Sequence, residues 1–346
     1  MTQNRPTLSI IMPVFNRTEL VATMIDSILA NSFTDYELIA VDDGSDQDTL
    51  DMLSCYQKKD QRIKIICRTE QPKGATKCRN IGLDHAQGEY VIFFDSDDII
   101  TPSCLSERVN SIRQRPDMDF LVFPSCTFYN NILHPLDSKF VYGYKLHDDD
   151  ISYFCQRLLP FVVVNNIYKT KSLKENNIRW DEQLKSLQDC DFNLQSILKG
   201  LKYDYVSVYP DYGYRIDERG NAVSAGITTK KHYASNLHSI CKLYQMVQGK
   251  YGHKYDRDLY KGVLYTFNLI MTNGIDYDFT DKLAKLVKSR SPKYGRLLSI
   301  RFQICKLLGC LMSSRHSRQL PMASYILGRL YTEKKLENRI SSMIKK

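Results

Sequence analysis

Four short apolar segments between residues 8 and 94 constrain the fold more than any other feature of the chain. Each segment is rich in β-branched or aromatic residues and is too short for a buried helix, so each is expected to form a strand. The four segments are LSIIMPVF (8–15), YELIAV (36–41), IKIIC (63–67) and YVIFF (90–94).

Helical segments lie between these strands. After the first strand, apolar residues recur at the spacing of one helix face: Leu20, Val21, Met24, Ile25 and Ile28. A further helix is predicted over 75–86, and Gly88 ends it. Strands that alternate with helices predict a mostly parallel central sheet with right-handed crossovers, covered on both faces. The sequence therefore predicts an α/β domain.

Composition excludes several classes of protein. The chain has 346 residues, 43% hydrophobic and 25% charged, which is enough for a large core and one domain with an appendage. Its ten cysteines form no CxxC pair and no zinc-type spacing, which favours a reducing compartment over a disulfide framework. No basic leader with a cleavage site begins the sequence, so a cytoplasmic location is expected rather than secretion.

Charge divides the chain into two parts. Residues 1–224 carry 25 basic and 32 acidic side chains, whereas residues 225–346 carry 23 basic and 7 acidic ones. We predict a domain over 1–224 and a basic helical region over 225–346. Helices are expected in that region at 232–270, 280–290 and 296–312.

The basic region has two interpretations. It is either the solvated surface of a helical bundle or a contact with an anionic membrane, at the inner face of the cell membrane. Arg296, Arg301 and Lys306 are five residues apart, which predicts that they lie around the last helix rather than along one face. Arg301 and Lys306 also interrupt the longest candidate membrane span, so no span is expected. No nucleic-acid motif accompanies the charge, and no nucleic-acid partner is expected.

Polar clusters follow three of the predicted strands. Because ligands bind outside the carboxyl ends of strands in open α/β sheets, these clusters are expected to share one edge. One polar turn of this kind usually has only a structural role, but three that converge predict a ligand site. The clusters are Pro13, Phe15, Asn16 and Arg17 after the first strand, Asp42, Asp43 and Asp46 after the second, and Asp95, Asp97 and Asp98 after the fourth.

Asp95 and Asp97 are separated by one residue at a strand end, so both can face one cation. Carboxylate oxygens suit Mg²⁺ or Mn²⁺, whose shell is usually completed by water and by substrate phosphates. A diphosphate is the natural remaining partner. The glycine motifs GxGxxG and GxxxxGK[ST] are absent, which disfavours NAD enzymes and Walker-type kinases.

Three stretches of the chain resemble the successive signatures of family 2 glycosyltransferases, over roughly residues 7–224. They are LSIIMPVFN, ELIAVDDGSDQDT and GATKCRNIGLDHAQGEYVIFFDSDD. NIRWDEQLKSLQDCDF (177–192) is similar to the family segment that leads to the catalytic base. The resemblance implies the A-type glycosyltransferase fold, with a nucleotide-sugar-binding catalytic domain over 1–224 and a helical C-terminal region. It also implies an inverting transfer from a nucleotide sugar, most readily a UDP-sugar, to a glycan or lipid-linked acceptor in bacterial surface-polysaccharide synthesis.

The resemblance also implies roles for individual residues. Asp43 would hold the nucleobase, and Asp95 and Asp97 would hold Mn²⁺ or Mg²⁺. Arg79 lies in Cys78-Arg79-Asn80, where the family has Ala-Arg-Asn, and approaches the diphosphate or forms a salt bridge with the acidic rim. The implied cofactor-binding set is Pro13, Val14, Asn16, Asp43, Arg79, Asp95 and Ser96.

The catalytic base implied by the resemblance is Asp189. The family's Gly-Glu-Asp reads Leu187-Gln188-Asp189 here, so only the aspartate is retained. Asp189 is expected near a helix start, where the helix dipole favours the ionised form. Asp191 is a rival base, two residues on and about 200° around the same helix. Tyr214-Arg215 is followed by no histidine before His232, so the metal is expected to depend more on water and phosphate.

Two other classes remain open at this stage. A nucleotidyltransferase could share the sheet and the metal site, but it usually carries a Gly-rich basic loop after the first strand, where this chain has PVFNRTEL. A noncatalytic protein that binds sugar nucleotides would keep the pocket and would need no base at residue 189.

Overall fold

The computed structural model describes residues 5–129, 132–134, 142–145, 148–215, 230–271 and 276–311. Within them, a seven-stranded sheet has the order β10-β6-β9-β4-β1-β2-β3, and a four-stranded sheet has the order β5-β11-β7-β8. The strands are β1 (Leu8–Val14), β2 (Tyr36–Asp42), β3 (Ile63–Cys67), β4 (Tyr90–Phe93), β5 (Ile99–Ile100), β6 (Phe120–Val122), β7 (Ser125–Tyr129), β8 (Ile132–His134), β9 (Asn166–Lys169), β10 (Tyr203–Tyr205) and β11 (Tyr212–Arg215).

Helices cover the sheet and form the described parts of the chain after residue 229. They are α1 (Thr18–Leu29), α2 (Gln47–Lys59), α3 (Ala75–His85), α4 (Cys104–Arg113), α5 (Asp150–Cys155), α6 (Thr170–Glu175), α7 (Gln188–Leu198), α8 (Lys230–Tyr251), α9 (Asp256–Met271), α10 (Tyr277–Arg290) and α11 (Pro292–Leu311). The predicted α/β class with a mostly parallel sheet and a helical C-terminal region is confirmed. The boundary predicted at 224/225 lies outside the described residues and stays a prediction.

The four predicted strands form β1 to β4, and each is matched to within one residue at either end. β1 pairs in parallel with β2 and β4, and β2 pairs in parallel with β3, so their carboxyl ends meet at one edge. β9 is antiparallel to both β4 and β6. Its first residue, Asn166, lies opposite Val122 at the end of β6, so the segment before β9 enters at the same edge.

The core lies between the central sheet and its helices. The predicted apolar face of α1 is buried through Val21, Met24, Ile25 and Ile28. Behind β4, Phe93 makes edge contacts with Trp180 and with Phe192 of α7, both at 5.5 Å between ring centroids. Trp180 in turn stacks on Phe192 at 4.4 Å. This aromatic cluster attaches the start of α7 to β4, which is followed by Asp95 and Asp97, called the acidic motif below.

The C-terminal helices differ from the prediction in one respect. The single helix expected over 232–270 is wrong: α8 ends at Tyr251, and α9 begins at Asp256. Gly252 adopts φ +56, a left-handed conformation that ends a helix and that glycine adopts without steric cost. Ser291 separates α10 from α11, which begins at Pro292. Among the described helices, none has both the length and the apolar character that a membrane span requires.

Candidate active site

The polar loop after β1 contacts the loops after both neighbouring strands. The Asn16 backbone N–H donates to Ser45 Oγ at 2.8 Å, and Asn16 Oδ1 accepts from the Asp46 N–H at 2.9 Å. Arg17 Nη1 donates to Asp97 Oδ2 at 2.5 Å. Asn16 and Arg17 both have positive φ, 55° and 65°, and this turn directs their side chains toward the two acidic loops. The predicted convergence of the three clusters is therefore present.

Asp43 lies at the end of β2 in a buried position. Its Oδ1 accepts from the Arg68 guanidinium, and its Oδ2 accepts from the Gly74 N–H at 2.7 Å. Its own N–H donates to the carbonyl of Val14 at 2.8 Å. These bonds fix the orientation of the carboxylate. Pro13, on the neighbouring strand β1, is partly buried. Arg68 was not predicted, although it follows β3 at the same edge.

Beside Asp43, an aromatic ring lies at the rim of the site. Phe15 is 49% exposed, and Lys73 Nζ lies 4.2 Å from its ring centroid. Lys73 also donates to the Gly44 carbonyl at 2.8 Å. A flat apolar face and an ammonium group therefore lie next to the turn that carries Asp43.

Asp95 and Asp97 are partly exposed, and each is paired with an arginine. Arg79 Nη2 donates to Asp95 Oδ1 at 2.5 Å, in addition to the Arg17–Asp97 pair. Burial raises the pKa of Asp97, the charge of Asp95 adds to the effect, and the charge of Arg17 opposes it. Ser96, between the two, is partly buried. Two neighbouring carboxylates of this kind repel one another unless cations lie beside them.

Asp98, the third carboxylate of this cluster, is turned away from it. Its Oδ2 accepts from the Tyr212 hydroxyl at 2.5 Å, and its Oδ1 accepts from the Arg215 N–H at 2.7 Å. Burial raises the pKa of Asp98 well above its usual range. Asp98 therefore ties the turn after β4 to β11.

Two acids of the second cluster also serve the backbone. Asp42 Oδ2 accepts from the N–H groups of Gly44 and Ser45, at 2.9 and 3.1 Å. Asp46 is the N-cap of α2 and accepts from the Thr49 N–H at 3.1 Å. For Asp42 and Asp46, the ordinary role of aspartate in turns and caps is the one observed.

Arg79 joins the acidic motif to the segment that carries the predicted base. It is 5% exposed, and besides Asp95 it donates to Gln188 Oε1 at 3.0 Å. Its guanidinium lies 4.5 Å from the ring centroid of Trp180. Burial acts to lower its pKa, but the charges of Asp95 and Asp189 outweigh burial, so the pKa is raised. The salt bridge left open by the sequence is present, and the approach to a diphosphate stays a prediction.

Asp189 is the second residue of α7, so the prediction of a position near a helix start is confirmed. Its Oδ1 accepts from the Val163 N–H at 2.9 Å, in the segment before β9. Burial raises the pKa of Asp189, the charge of Arg79 opposes the rise, and that of Asp95 adds to it. Leu187, the N-cap, has φ 60° and turns the chain into the helix.

Asp191, the rival base, is 6% exposed and faces the C-terminal helices. Its Oδ2 accepts from Gln195 Nε2 at 2.6 Å and from Lys242 Nζ of α8 at 2.8 Å. Burial raises its pKa, and Lys242 opposes the rise. Both a neighbouring amide and a lysine therefore engage Asp191, whereas Asp189 lies near Arg79 and the acidic motif.

Asp95 and Asp97 are the donors that could hold a metal. Within the described part of the chain, no three His, Cys, Asp or Glu side chains form a metal-binding group. Two partly exposed carboxylates fit Mg²⁺ or Mn²⁺, because these ions accept water and phosphate oxygens for the rest of their shell. Burial and, after it, the charge of Asp95 raise the pKa of Asp97, and a dication beside it would favour the ionised form.

A family model described as "Glycosyl transferase family 2" matches residues 9–174. The chain carries a family 2 glycosyltransferase domain. The match includes Asp43, Asp95 and Asp97, and it ends before α7. Asp189 lies beyond the matched residues, so its position near Arg79 is known from the structure and not from this match.

Two curated relatives are similar over part of the chain. The poly(ribitol-phosphate) beta-glucosyltransferase of Bacillus spizizenii is 27% identical over 235 residues, 67% of this chain and 36% of the relative. The GalNAc(5)-diNAcBac-PP-undecaprenol beta-1,3-glucosyltransferase of Campylobacter jejuni is 42% identical over 122 residues, 35% of this chain and 38% of the relative. The chain thus spans less than half the length of either relative.

A solved structure is similar over nearly the whole chain. The crystal structure of Staphylococcus aureus TarS 1–349 in complex with UDP-GlcNAc has a TM-score of 0.67 and 20% identity. The likeness covers 93% of this chain and 92% of that one. At this identity it shows the fold, and it confirms the predicted A-type glycosyltransferase fold.

Proposed function

We propose that the protein is an inverting glycosyltransferase that moves a sugar from a nucleotide-diphosphate donor to a hydroxyl group of an acceptor. The observation that carries the proposal is the path of contacts through Arg79, which bonds to Asp95 on one side and to Gln188, beside Asp189, on the other. Asp95, a proposed metal ligand, and Asp189, the proposed base, thus lie on either side of the buried guanidinium of Arg79. Family membership and the names of the relatives support the same reaction class.

The donor site would be formed by the residues after β1, β2 and β4. Asp43 would accept from a nucleobase N–H, and its bonds to Arg68 and Gly74 hold the carboxylate ready. Pro13, Val14 and Asn16 would line the same pocket. A UDP-sugar is the donor we propose, because TarS, which shares the fold, was crystallised with UDP-GlcNAc.

The diphosphate would lie near Arg79, Ser96 and the acidic motif. Asp95 and Asp97 would hold Mn²⁺ or Mg²⁺, and a bound ion of this kind would act as a Lewis acid that neutralises the leaving diphosphate. Arg17 and Arg79 add fixed positive charge on the protein side.

Asp189 would act as the general base. It would remove the proton of the acceptor hydroxyl as that oxygen attacks the anomeric carbon. The new carbon–oxygen bond forms while the bond from the anomeric carbon to the diphosphate oxygen breaks. One displacement of this kind inverts the configuration of the sugar. A raised pKa makes Asp189 a better proton acceptor than an exposed aspartate once it is ionised.

The acceptor we propose is a glycan or a lipid-linked saccharide of a cell-surface polysaccharide. The two curated relatives support this class, since one is named for a poly(ribitol phosphate) and the other for an undecaprenol-linked saccharide.

A face of α11 supports contact with an anionic membrane. Leu297, Ile300 and Ile304 are 44%, 57% and 54% exposed, and their spacing places them on one side of the helix. Arg296 and Arg301 lie about 70° to either side of this α11 face. From Pro292 to Leu311 the sequence contains no acidic residue.

An exposed apolar stripe between basic side chains is typical of helices that lie in a membrane interface. The side chain of Lys306, which the sequence analysis grouped with the two arginines, lies outside the described residues. Membrane contact would place the enzyme in the cytoplasm at the inner face of the cell membrane.

Release of nucleoside diphosphate tests the proposed reaction. UDP-GlcNAc and UDP-glucose are incubated with the protein and Mn²⁺, with and without a poly(ribitol phosphate) acceptor. We expect acceptor-dependent release of UDP. In a parallel incubation with UTP and a sugar 1-phosphate, a nucleotidyltransferase would release pyrophosphate, and a noncatalytic binder would bind UDP without any release in either incubation. Either of these results would exclude the proposal for these substrates.

A further inference from the structure

A lysine of the C-terminal helices lies between a partly buried and a buried carboxylate beside the site. Lys242 Nζ of α8 is 2.8 Å from Asp181 Oδ2 and 2.8 Å from Asp191 Oδ2. The side chains of Asp181 and Asp191 are 13% and 6% exposed. His238, one turn earlier on α8, also contacts Asp181 Oδ2, at 2.9 Å. Lys242 therefore serves two carboxylates on two different segments at once.

Both carboxylates belong to segments that form the candidate site. Asp191 is on α7, two residues after Asp189. Asp181 directly follows Trp180, and the guanidinium of Arg79 lies 4.5 Å from the centroid of the Trp180 ring. The lysine thus joins the helix that presents the base to the segment that supports the arginine.

Other bonds from α8 reach the loop between these two segments. The Lys185 N–H donates to Ser235 Oγ at 2.9 Å, and Ser186 Oγ donates to Asn236 Oδ1 at 3.4 Å. These two bonds hold the loop. The stack of Trp180 on Phe192 and the bond from Gln195 Nε2 to the Arg179 carbonyl, at 3.2 Å, also join the two segments, whereas Lys242 is the cation placed between their carboxylates. Charged groups taken out of water repel one another strongly unless a cation pairs with them. Without the lysine, repulsion between Asp181 and Asp191 would push the two segments apart.

We propose that Lys242 is a positioning residue that sets the first turn of α7, and with it Asp189, against Arg79 and Asp95 by bridging Asp181 and Asp191. The proposal rests on the proposed function, since it assigns the effect of the bridge to the base. Lys242 lies beyond residues 9–174, so it is a feature outside the matched family domain.

The test compares Lys242→Met with Lys242→Arg in the full chain. A displacement of about 1 Å at a reacting group costs on the order of 100-fold in rate. We expect Lys242→Met to lower the acceptor-dependent kcat at least about tenfold and to change the affinity for UDP, measured by calorimetry, less than about twofold. Lys242→Arg keeps a cation with several donors and should restore part of the rate.

A second readout does not depend on activity. Hydrogen exchange of the α7 amides from Asp191 to Leu194 should be faster in Lys242→Met, and exchange in β1 should be unchanged. As a matched control, Lys282→Met removes an exposed lysine that pairs with Asp278 on α10, and it should keep both the rate and the exchange of the wild type.

Four results would overturn the proposal: a wild-type kcat in Lys242→Met, a loss of UDP affinity equal to the loss of rate, unchanged exchange in α7, or a rate in Lys242→Arg no higher than in Lys242→Met. If Lys242→Met does not fold, the double variant Lys242→Met/Asp191→Asn removes one buried charge together with the lysine. This variant should fold because the repulsion is removed, and its α7 exchange should stay faster than in the wild type because no cation joins the two segments; wild-type exchange in this variant would reject the bridge. Absence of any transfer by the wild type would instead reject the proposed reaction, and the exchange experiment would still test the bridge.

Discussion

At the scale of single residues, the acidic clusters divide into two groups that the sequence does not separate. Asp43, Asp95 and Asp97 were predicted because they follow strands that end at one edge, and the structure places them there. Asp98 lies in the same cluster as Asp95 and Asp97, but it bonds to Tyr212 and Arg215. Its donors lie more than a hundred residues further along the chain, so no local pattern could assign it.

The choice between Asp189 and Asp191 also needed the fold. The helix periodicity gives the angle between the two side chains, but it does not say which side faces the sheet edge. The contact between Asp191 and Lys242 of α8 supports Asp189 as the base. The roles of these residues in binding and catalysis stay predictions.

Replacing Asp189 with asparagine should abolish transfer and leave donor binding intact. The amide keeps an oxygen for the Val163 N–H and cannot accept the proton of the acceptor, so we expect kcat to fall about 100-fold or more. Calorimetry should give the wild-type affinity for UDP. Asp84→Asn, which changes an exposed partner of Arg179 in the same way, is the control and should keep the wild-type rate. Unchanged turnover in Asp189→Asn would refute the role of base.

The pH dependence should report the environment of Asp189. The base acts when ionised, and burial raises its pKa, so the rate should fall on the acid side at a pH above about 4, the ordinary range of aspartate. The measurement is kcat/KM for the acceptor, at saturating donor, as a function of pH. An acid limb at or below the ordinary aspartate range would contradict this expectation.

Asp97→Ala should weaken donor binding that depends on the metal. The variant removes one of two carboxylates proposed for Mn²⁺ or Mg²⁺, so the apparent affinity for Mn²⁺ should fall by at least about tenfold. Calorimetry of UDP binding with and without Mn²⁺ checks this result. Equal affinity for UDP with and without Mn²⁺ in the wild type would argue against a metal at this site.

At the scale of elements, regular apolar patterns predicted the front of the chain well. β1 to β4 and α3 match their predicted ranges to within one residue, because short buried strands and a Gly-terminated helix have strong local signals. The helix predicted over 232–270 was wrong, because its apolar pattern continues across the turn at Gly252. The antiparallel β9 and the four-stranded sheet were not predicted, since their pairings join distant segments.

The packing of α3 on β1 depends on a glycine. A Cβ atom at Gly82 would lie 2.4 Å from Ile11 Cγ2, so Gly82→Ala should force the helix from the sheet and lower the free energy of unfolding by about 1–3 kcal/mol. Gly249 on α8 has no atom within 4 Å of such a Cβ, so Gly249→Ala should be neutral or stabilise by up to about 1 kcal/mol. Urea denaturation followed by circular dichroism measures both. Equal stability of the two variants would contradict the close packing.

At the scale of the whole molecule, the uneven charge predicted an acidic domain over 1–224 and a basic helical region over 225–346. In the structure, these two parts are in contact through α7 and α8, where Lys242 donates a hydrogen bond to Asp191. The sequence could predict that the C-terminal region is helical and basic. It could not predict this junction, because an isolated lysine on a helix carries no signal of its partner. The division of the chain into 1–224 and 225–346 stays a prediction.

Vesicle flotation tests the proposed membrane contact of the whole protein. We expect flotation with anionic vesicles at low salt and its loss at high salt, since each basic side chain near such a surface contributes about 1 kcal/mol and salt screens it. Ile300→Ser/Ile304→Ser and Arg296→Gln should each reduce flotation. Lys58→Gln, an equal charge change on exposed α2, should not. No flotation of the wild type at low salt would remove the membrane proposal.

The reversed direction of β9 has a consequence for how such a protein can diversify. The loop before Asn166 arrives at the edge where β1, β2 and β4 terminate, and it carries the Val163 N–H that touches Asp189. Changes in its length or sequence can thus remodel the surroundings of Asp189, the proposed base, while the loops that carry Asp43 and Asp95 keep their form. In the proposed reaction, acceptor preference can therefore change in evolution without a change in donor preference. Chimeras in which the loop before β9 is exchanged between related proteins would show this as a change of acceptor with the donor unchanged.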